Sequence, residues 1–151
     1  MRELRILTVR QPWAWAIVHG GKDVENRSRN LAGKYRGPVA IHAAANELPA
    51  DQHFEAAKAI STITGYLPLF TLPEGLGAIL GVVDLVDVHR AADCVHGLIP
   101  TPCSEWAEPG SWHLKLANPR PLAKSIPWRG MLGLQHAPVA LAERILAEVA
   151  A

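Results

Sequence analysis

Residues 77–89, with the sequence Gly-Ala-Ile-Leu-Gly-Val-Val-Asp-Leu-Val-Asp-Val-His, contain the strongest strand pattern of the chain. Apolar side chains occupy both sets of alternating positions, so both faces of the predicted strand would be covered. A strand with two apolar faces is typical of a closed barrel or of a covered sheet. The stretch therefore predicts a central strand on which the rest of the fold packs.

Shorter patterns extend outward from this strand and combine β-strands with a few helices. The 151 residues are 49% hydrophobic, which is enough for one ordinary core. We therefore expect a single domain over residues 1–151. The periodicity and the turn residues predict strands over residues 4–9, 22–27, 38–43, 112–116 and 131–135, helices over residues 11–19, 49–64 and from 138 onward, a turn at 118–121, and a long irregular surface segment over 90–111.

Charge is distributed unevenly along the chain, although the formal net charge is only +1. Residues 1–36 hold eight Lys or Arg against three Asp or Glu, residues 37–118 hold three against nine, and residues 119–151 hold four against two. Two basic ends surround an acidic middle, which predicts a local basic site. Such a site favours a short or single-nucleotide ligand over long RNA that is bound without specificity.

Cysteine content and hydropathy predict the compartment. The two cysteines are too few for a disulfide framework, which fits a reducing cytoplasm. The apolar stretch over residues 75–83 ends at Asp84, well short of the roughly 20 residues that a membrane helix needs. We therefore expect a cytoplasmic protein without a membrane partner.

Several residues near the end of the central strand are of types that bind metals. Their spacing matches neither the C-x-x-C nor the H-E-x-x-H pattern, so we expect no metal site and no cofactor. No serine has the surroundings of a hydrolase nucleophile, and no glycine-rich phosphate loop follows a strand. The metal-binding types in question are His89, Asp93, Cys94, His96 and Cys103.

Two groups of charged residues are candidates for a functional site. Asp84 shares a strand face with valines, where a lone carboxylate loses hydration and must be paired or titrate abnormally. A structural carboxylate, held by backbone amides or by one arginine, is the alternative. Lys22, Glu25 and Arg27 follow two glycines, where a backbone can closely approach a ligand. The alternative for this second group is an exposed edge strand that is protected by its charges.

Tryptophan is unusually frequent, with five Trp against two Phe and two Tyr. Trp112 stands beside a histidine, and Trp128 stands beside Arg129. Aromatic residues next to basic residues suit base stacking combined with phosphate neutralisation, whereas ordinary core packing is the alternative for most of them. His42, on a predicted strand, either points into a cleft or is a core histidine with hydrogen-bonded ring nitrogens.

Several motifs, in order along the chain, resemble one known family. The motifs at the N-terminal end are LTVRQPWA (7–14), IVHG (17–20) and GKDVENR (21–27), and those further along are YRGPVAIH (35–42), WHLKLANPRPL (112–122) and IPWRG (126–130). Together with the strand that carries Asp84, they resemble the ASCH domain, the activating-signal-cointegrator homology family of the PUA-like superfold.

The resemblance implies an α+β fold, a small and mostly antiparallel PUA-like β-barrel with flanking α-helices. It also implies a cleft for RNA or a modified nucleoside, lined by Lys22, Glu25 and Arg27. In this interpretation basic residues hold phosphates, a tryptophan stacks on a base, and Glu25 or Asp84 accepts a hydrogen bond from a base amine. The further ligand contacts that we expect are Gln11, Trp13, His42, Trp112, Arg120 and Arg129.

Hydrolysis is the second activity that the resemblance implies. Some relatives are amidohydrolases that deacylate N4-acetylcytidine with a lysine, a threonine and a glutamate, and ribonucleases also occur. Lys22 matches the lysine and Asp84 is expected to replace the glutamate, but Glu25 stands at the threonine position. A carboxylate can accept a proton or orient water but lacks the hydroxyl nucleophile. We therefore rank a binding function first, with RNA, a short single-stranded oligonucleotide or a nucleoside as the ligand. Hydrolysis by Lys22, Glu25 and Asp84 ranks second, and a ribonuclease would also use a divalent metal.

Overall fold

The computed structural model describes residues 3–66, 75–96 and 99–150, without the side chains of residues 95, 96, 99, 100 and 150. No helix within these residues is both long and apolar enough to cross a membrane. The predicted α+β class is confirmed. Along the chain the elements are β1 (Arg5–Val9), α1 (Trp13–His19), β2 (Val24–Arg27), β3 (Gly37–Ala43), α2 (Ala50–Thr64), β4 (Ala78–Arg90), a 3-10 turn (Ala91–Asp93), β5 (Val95–His96), β6 (Ile99–Pro100), β7 (Trp112–Pro127), β8 (Leu134–His136) and α3 (Val139–Ala150).

Six strands form one curled half-barrel sheet, in the order β2, β7, β4, β3, β1, β8. β1 and β3 run parallel, with Leu7 opposite Ile41, and the other neighbouring pairs of this sheet run antiparallel. β5 and β6 pair with each other. The predicted mostly antiparallel, barrel-like architecture is therefore confirmed, and β2 lies at one edge of the sheet.

The central apolar stretch lies on β4, between β7 and β3. Val83 and Leu85 pack in the cluster that includes residues of α1, whereas Ile79 and Val82 pack in the cluster that includes residues of α3. Alternation along the strand places Val82 on the face opposite to Val83 and Leu85, and the register shift between Ile79 and Gly81 brings Ile79 to the same face as Val82. Burial of one large aliphatic side chain contributes about 1.5–3 kcal/mol, so coverage of both faces of β4 is a main source of stability.

A third cluster fastens α2 and part of the segment between β4 and β7 to the edge strand. Ile60 of α2 and Trp106 pack with Ala16 of α1 and Val24 of β2. The side-chain amide of Asn26 on β2 also donates a hydrogen bond to the Trp106 carbonyl at 2.9 Å. The segment predicted as a surface excursion therefore packs against β2 in its described part.

β7 is longer than the sequence pattern predicts. A turn is predicted at residues 118–121, but the strand continues through them to its end at Pro127. The pairing with β4 shifts register there, since Ala117 lies opposite Asp84 and Arg120 lies opposite Val82. A β-bulge therefore accommodates the residues of low strand propensity without a reversal of the chain.

Residues 128–133 form a loop, although the sequence predicts a strand from residue 131. Gly133 has a φ of 77°, which is in the left-handed region and interrupts an extended backbone. β8 therefore begins only at Leu134. The loop, named here the 128–133 loop, lies beside the end of β1.

Candidate functional site

An open cavity of about 720 Å³ lies at the edge of the sheet, where the ends of β1 and β2 meet the 128–133 loop. Ligand sites in proteins commonly have volumes of about 300–1,000 Å³, so the cavity is large enough for a small organic ligand. Its lining comes from β1, α1, β2, the segment after β3 and the loop, namely Thr8, Val9, Arg10, Trp13, Glu25, Asn26, Arg27, Ala44, Ala45, Asn46, Leu48 and residues 128–133.

Lys22, Glu25 and Arg27 form one charge cluster beside this cavity. Lys22 Nζ lies 3.6 Å from Glu25 Oε1, and Arg27 Nη2 lies 3.7 Å from Glu25 Oε2. Lys22 and Glu25 are only 4% and 6% exposed, whereas an edge strand protected by solvated charges would expose them. Glu25 and Arg27 line the cavity. Lys22 is not among the described lining residues; it pairs with Glu25 and donates a hydrogen bond to the Val24 carbonyl at 2.5 Å.

One carboxylate oxygen of Glu25 lacks a hydrogen-bond donor. Oε1 accepts a hydrogen bond from the Asn26 backbone amide at 3.1 Å. Oε2 is buried and has no hydrogen-bond partner within the described part of the chain, because the Arg27 guanidinium at 3.7 Å is beyond hydrogen-bond distance. An unpaired buried acceptor costs about 1–3 kcal/mol. A ligand that supplies a donor to this oxygen would therefore gain binding energy.

Three guanidinium groups line the cavity together with the Glu25 carboxylate. Arg27 Nη2 donates to the Thr8 carbonyl at 2.8 Å, which fixes this side chain at the end of β1. The side chains of Arg10 and Arg129 are exposed and form no ion pair or hydrogen bond with another residue that the structure describes. Guanidinium groups match the geometry of phosphate and carboxylate ligands, so the cavity suits an anion.

Aromatic and apolar side chains complete the lining. Trp13 and Trp128 are half-buried there, and Lys22 Nζ lies 5.4 Å from the centre of the Trp13 ring, a cation–π contact. At the rim, Met131 and Leu132 expose most of their surface. A flat ligand can therefore contact apolar surface while its charged part reaches the arginines.

Two of the predicted ligand contacts, Gln11 and His42, have hydrogen-bond partners inside the protein. Gln11 Oε1 accepts from the Trp15 backbone amide at 2.9 Å. His42 is fully buried, with Nδ1 3.2 Å from Thr8 Oγ1 and Nε2 2.7 Å from the Trp128 carbonyl. The carbonyl can only accept, so Nε2 donates to it and Nδ1 accepts from the Thr8 hydroxyl. The structure therefore favours the interpretation of His42 as a core histidine. Its hydrogen bond to the Trp128 carbonyl connects the 128–133 loop to the sheet.

Asp84, Trp112 and Arg120 are outside the described lining of the cavity. Asp84 Oδ1 pairs with Arg120 Nη2 at 3.0 Å, and Asn118 Nδ2 donates to Asp84 Oδ2 at 3.2 Å. This arrangement matches the alternative of a structural carboxylate that is held by one arginine. Trp112 contacts the guanidinium of Arg90, whose carbon lies 5.3 Å from the ring centre.

A second cluster lies between β4 and β7. Asp93, one of the metal-binding types found in the sequence, is exposed, and the side chain of His96 lies outside the described residues. The structure brings four such residues together, with their ligand atoms all within 4.8 Å of one another: His89, Cys94, Cys103 and His113.

Two groups of this cluster or beside it have shifted pKa values. Burial raises the pKa of the Cys103 thiol, and the neighbouring Cys94 thiol acts in the same direction. A hydrogen bond with His89 lowers the pKa of the Asp87 carboxyl, which is therefore ionised at neutral pH.

Sequence reasoning missed Arg10, Asn26 and His113. Arg10 and Asn26 line the cavity, and they lie inside the motifs LTVRQPWA and GKDVENR, respectively. His113 lies next to Trp112 on a strand pattern and far from the cysteines in sequence. Their positions inside these motifs could have identified Arg10 and Asn26 as candidate site residues. His113 could be placed beside the cysteines only with the register of the sheet.

Comparisons with known proteins agree with the fold. A sequence model of the ASCH domain matches residues 7–124. The crystal structure of a point mutant of the ASCH protein ZmASCH from Zymomonas mobilis is 14% identical, with 97% of this chain and 98% of that chain covered and a TM-score of 0.56. The crystal structure of ASCH from Zymomonas mobilis is 12% identical, with 97% and 96% covered and a TM-score of 0.52. A search of curated proteins found no match.

Proposed function

The chain belongs to the ASCH domain family, and on that premise we propose that it binds a nucleotide, or one nucleotide of a short single-stranded RNA, in the cavity between β1, β2 and the 128–133 loop. The observation that carries this proposal is Glu25, a residue of the cavity lining, whose buried Oε2 has no hydrogen-bond donor among the described residues. Three guanidinium groups in the same lining supply the complementary positive charge.

Glu25 is proposed to recognise the base. A carboxylate accepts from an exocyclic base amine, such as the N4 amine of cytosine, and repels a carbonyl oxygen at the same place. Lys22 and Arg27 lie within 4 Å of the Glu25 carboxylate, so two cationic side chains hold it beside the cavity. The site therefore favours bases that carry an amine over bases that carry a carbonyl there.

Arg10 and Arg129 are proposed to hold the phosphate. Their side chains have no ion pair among the residues described, so a phosphate does not have to displace an internal partner. Trp13 and Trp128, in the same lining, supply faces on which a base can stack, a contact that contributes about 1–3 kcal/mol per base in single-strand binding proteins.

Base selectivity tests the role of Glu25. We expect cytidine monophosphate to bind at least about tenfold more tightly than uridine monophosphate, because a hydrogen bond to a charged acceptor contributes about 1.5–3 kcal/mol. Adenosine and inosine monophosphates form a second pair that differs by an amine and a carbonyl. Isothermal titration calorimetry on the full chain measures both preferences.

The matched control is Glu25→Gln, which keeps the shape of the side chain. Its amide can also donate to a carbonyl, so we expect the preference for the amine-bearing base to shrink by most of its value. Equal affinity within both nucleotide pairs, or an undiminished preference in Glu25→Gln, would contradict the proposed role of this carboxylate.

Salt dependence tests the phosphate contacts. For a single-stranded hexanucleotide, each neutralised phosphate adds about −0.7 to the slope of log K against log salt. We expect Arg10→Ala and Arg129→Ala each to reduce the steepness of the slope by about that amount, measured by fluorescence anisotropy. Arg144→Ala, an exposed arginine on α3, is the control and should leave the slope unchanged. An affinity that ignores ionic strength would argue against RNA as the ligand.

Hydrolysis is the second candidate, and one observation favours it: the buried Lys22 ammonium lies 3.6 Å from Glu25 at the cavity. Against it, Lys22 is already bonded to the Val24 carbonyl, and Asp84 is paired with Arg120. The discriminating assay incubates the protein with N4-acetylcytidine and with labelled single-stranded RNA, with and without Mg²⁺ or Mn²⁺. Turnover that is lost in Lys22→Ala would favour the hydrolase over the binding module.

A further inference from the structure

Four side chains from separate segments converge between β4 and β7. His89 comes from the end of β4, Cys94 follows the 3-10 turn, Cys103 lies in the segment before β7, and His113 lies on β7 directly opposite His89. The Cys94 sulfur lies 2.9 Å from His89 Nε2 and 3.2 Å from His113 Nδ1. The Cys103 sulfur lies 3.5 Å from His113 Nδ1.

These separations are close to those of a tetrahedral zinc site. With Zn–S bonds of about 2.3 Å and Zn–N bonds of about 2.0 Å, neighbouring ligand atoms are about 3.3–3.8 Å apart. To admit the ion, the two shorter contacts between Cys94 and the histidines need to lengthen by about 0.3–0.6 Å, and the widest pair of ligand atoms, within 4.8 Å, needs to shorten by up to about 1 Å. Two thiolates and two imidazoles are the donor set that zinc prefers in structural sites.

The outward nitrogens of both histidines provide an independent observation. His89 Nδ1 lies 2.8 Å from the Asp87 carboxylate, and His113 Nε2 lies 2.7 Å from the Glu108 carbonyl. Both oxygens are acceptors, so each histidine donates outward and presents a lone pair to the cluster. This is the outer-shell arrangement by which proteins fix the tautomer and orientation of metal-binding histidines.

We propose that His89, Cys94, Cys103 and His113 form a structural Cys2His2 zinc site. Four protein ligands fill the tetrahedron and leave no position for water, which distinguishes structural from catalytic zinc. Cys94 and His113 are buried, His89 and Cys103 are partly buried, and both cysteines are free thiols, so the thiols are available to bind the ion. The spacing of the sequence predicts no metal here, but the geometry favours one.

The site would fasten the segment that supports the cavity. Ser104, next to Cys103, donates to the Asp23 carboxylate at 2.5 Å, and the Glu108 backbone amide donates to the Asn26 side chain at 2.9 Å. Both acceptors lie on or directly before β2. Zinc would therefore hold this segment between the β4–β7 pair and the edge strand that carries Glu25. The proposal does not depend on what the cavity binds.

Metal content of the full chain tests the proposal. After expression with added zinc and removal of unbound metal by gel filtration, we expect elemental mass spectrometry to find about one zinc ion per chain. Co²⁺ in place of zinc should give the intense visible bands of a tetrahedral site and thiolate charge-transfer absorption. Cys94→Ser and Cys103→Ser should each lower the zinc content at least tenfold, whereas His53→Gln, a histidine of α2, should retain it.

A second measurement uses the wild-type chain, so that misfolding of a variant does not decide the outcome. Chelation should lower the Tm, and zinc at about 1,000 times its Kd should restore it by roughly 10 °C for a chain of this length. A folded wild-type chain that takes up no zinc or cobalt would overturn the proposal. A Cys94–Cys103 disulfide that persists in protein purified with a reductant, or full zinc content in both cysteine variants, would overturn it as well.

Discussion

Replacement of Lys22 with methionine is expected to lower the free energy of unfolding by about 3–5 kcal/mol, because removal of one partner leaves the other buried charge without compensation. Glu25 is 6% exposed and would retain the Arg27 guanidinium at 3.7 Å and the Asn26 backbone amide at 3.1 Å, but would lose the buried ammonium. Methionine keeps a side chain of similar length, so the loss reports the missing ammonium, with its ion pair, its hydrogen bond to the Val24 carbonyl and its contact with the Trp13 ring, and not a cavity. Urea denaturation followed by circular dichroism measures the change.

Two variants separate this explanation from general damage to β2. Lys22→Met combined with Glu25→Gln removes both charges, and we expect it to recover at least half of the lost stability. Lys115→Met removes a more exposed lysine that lies 3.9 Å from the Asp23 carboxylate on the same strand pair, and it should cost less than about 1 kcal/mol. Equal losses in the two single variants, or no recovery in the double variant, would mean that the buried pair does not explain the effect.

The main part of the fold could be predicted because it depends on local periodicity. The β4 stretch has apolar residues in both alternating sets, and the structure covers both of its faces. α1 and α2 lie within about two residues of their predicted bounds. The turn predicted at 118–121 was wrong because the pattern counts the prolines but does not show that β4 offers a register in which a bulge accepts them.

Proximity within the charge cluster could be predicted, but its burial could not. Glu25 and Arg27 share one side of a strand, and Lys22 is three residues before Glu25, so their sequence positions bring them together. Their burial depends on contacts with other elements, since the Trp13 ring of α1 lies 5.4 Å from Lys22 Nζ and the Thr8 carbonyl of β1 accepts a hydrogen bond from Arg27 at 2.8 Å. A charged edge strand and a buried charge cluster therefore have the same sequence pattern.

The zinc ligands could not be recognised from spacing because successive ligands are five, nine and ten residues apart. Spacing rules for metal sites rely on two ligands within one tight turn. Here the first and last ligands, His89 and His113, are neighbours only through the antiparallel pairing of β4 with β7. Their outward hydrogen bonds to Asp87 and the Glu108 carbonyl likewise depend on the folded backbone.

Gly81→Ala is expected to lower the free energy of unfolding by about 1–2 kcal/mol, although the substitution raises strand propensity. A β-carbon at Gly81 would lie 2.7 Å from Val18 Cγ1 and 2.8 Å from the Arg120 carbonyl oxygen. Such overpacking in a filled core costs about 1–3 kcal/mol, whereas the propensity gain from glycine to alanine is at most about 1 kcal/mol. The steric term therefore decides the sign, and thermal and urea unfolding measure it.

Relief of one of the two contacts shows whether this argument is correct. Val18→Ala removes the methyl groups that the new β-carbon would meet, so Gly81→Ala should cost less in that background, with a coupling of about 1 kcal/mol in the double-mutant cycle. The contact with the Arg120 carbonyl belongs to the backbone of β7 and remains, so the recovery should be partial. Val86→Ala, at an exposed position of β4, is the control and should cost less than about 1 kcal/mol. A Gly81→Ala variant as stable as the wild type would show that α1 and β7 can move apart without loss of stability. Close packing of the helix against the sheet would then not explain why residue 81 is glycine.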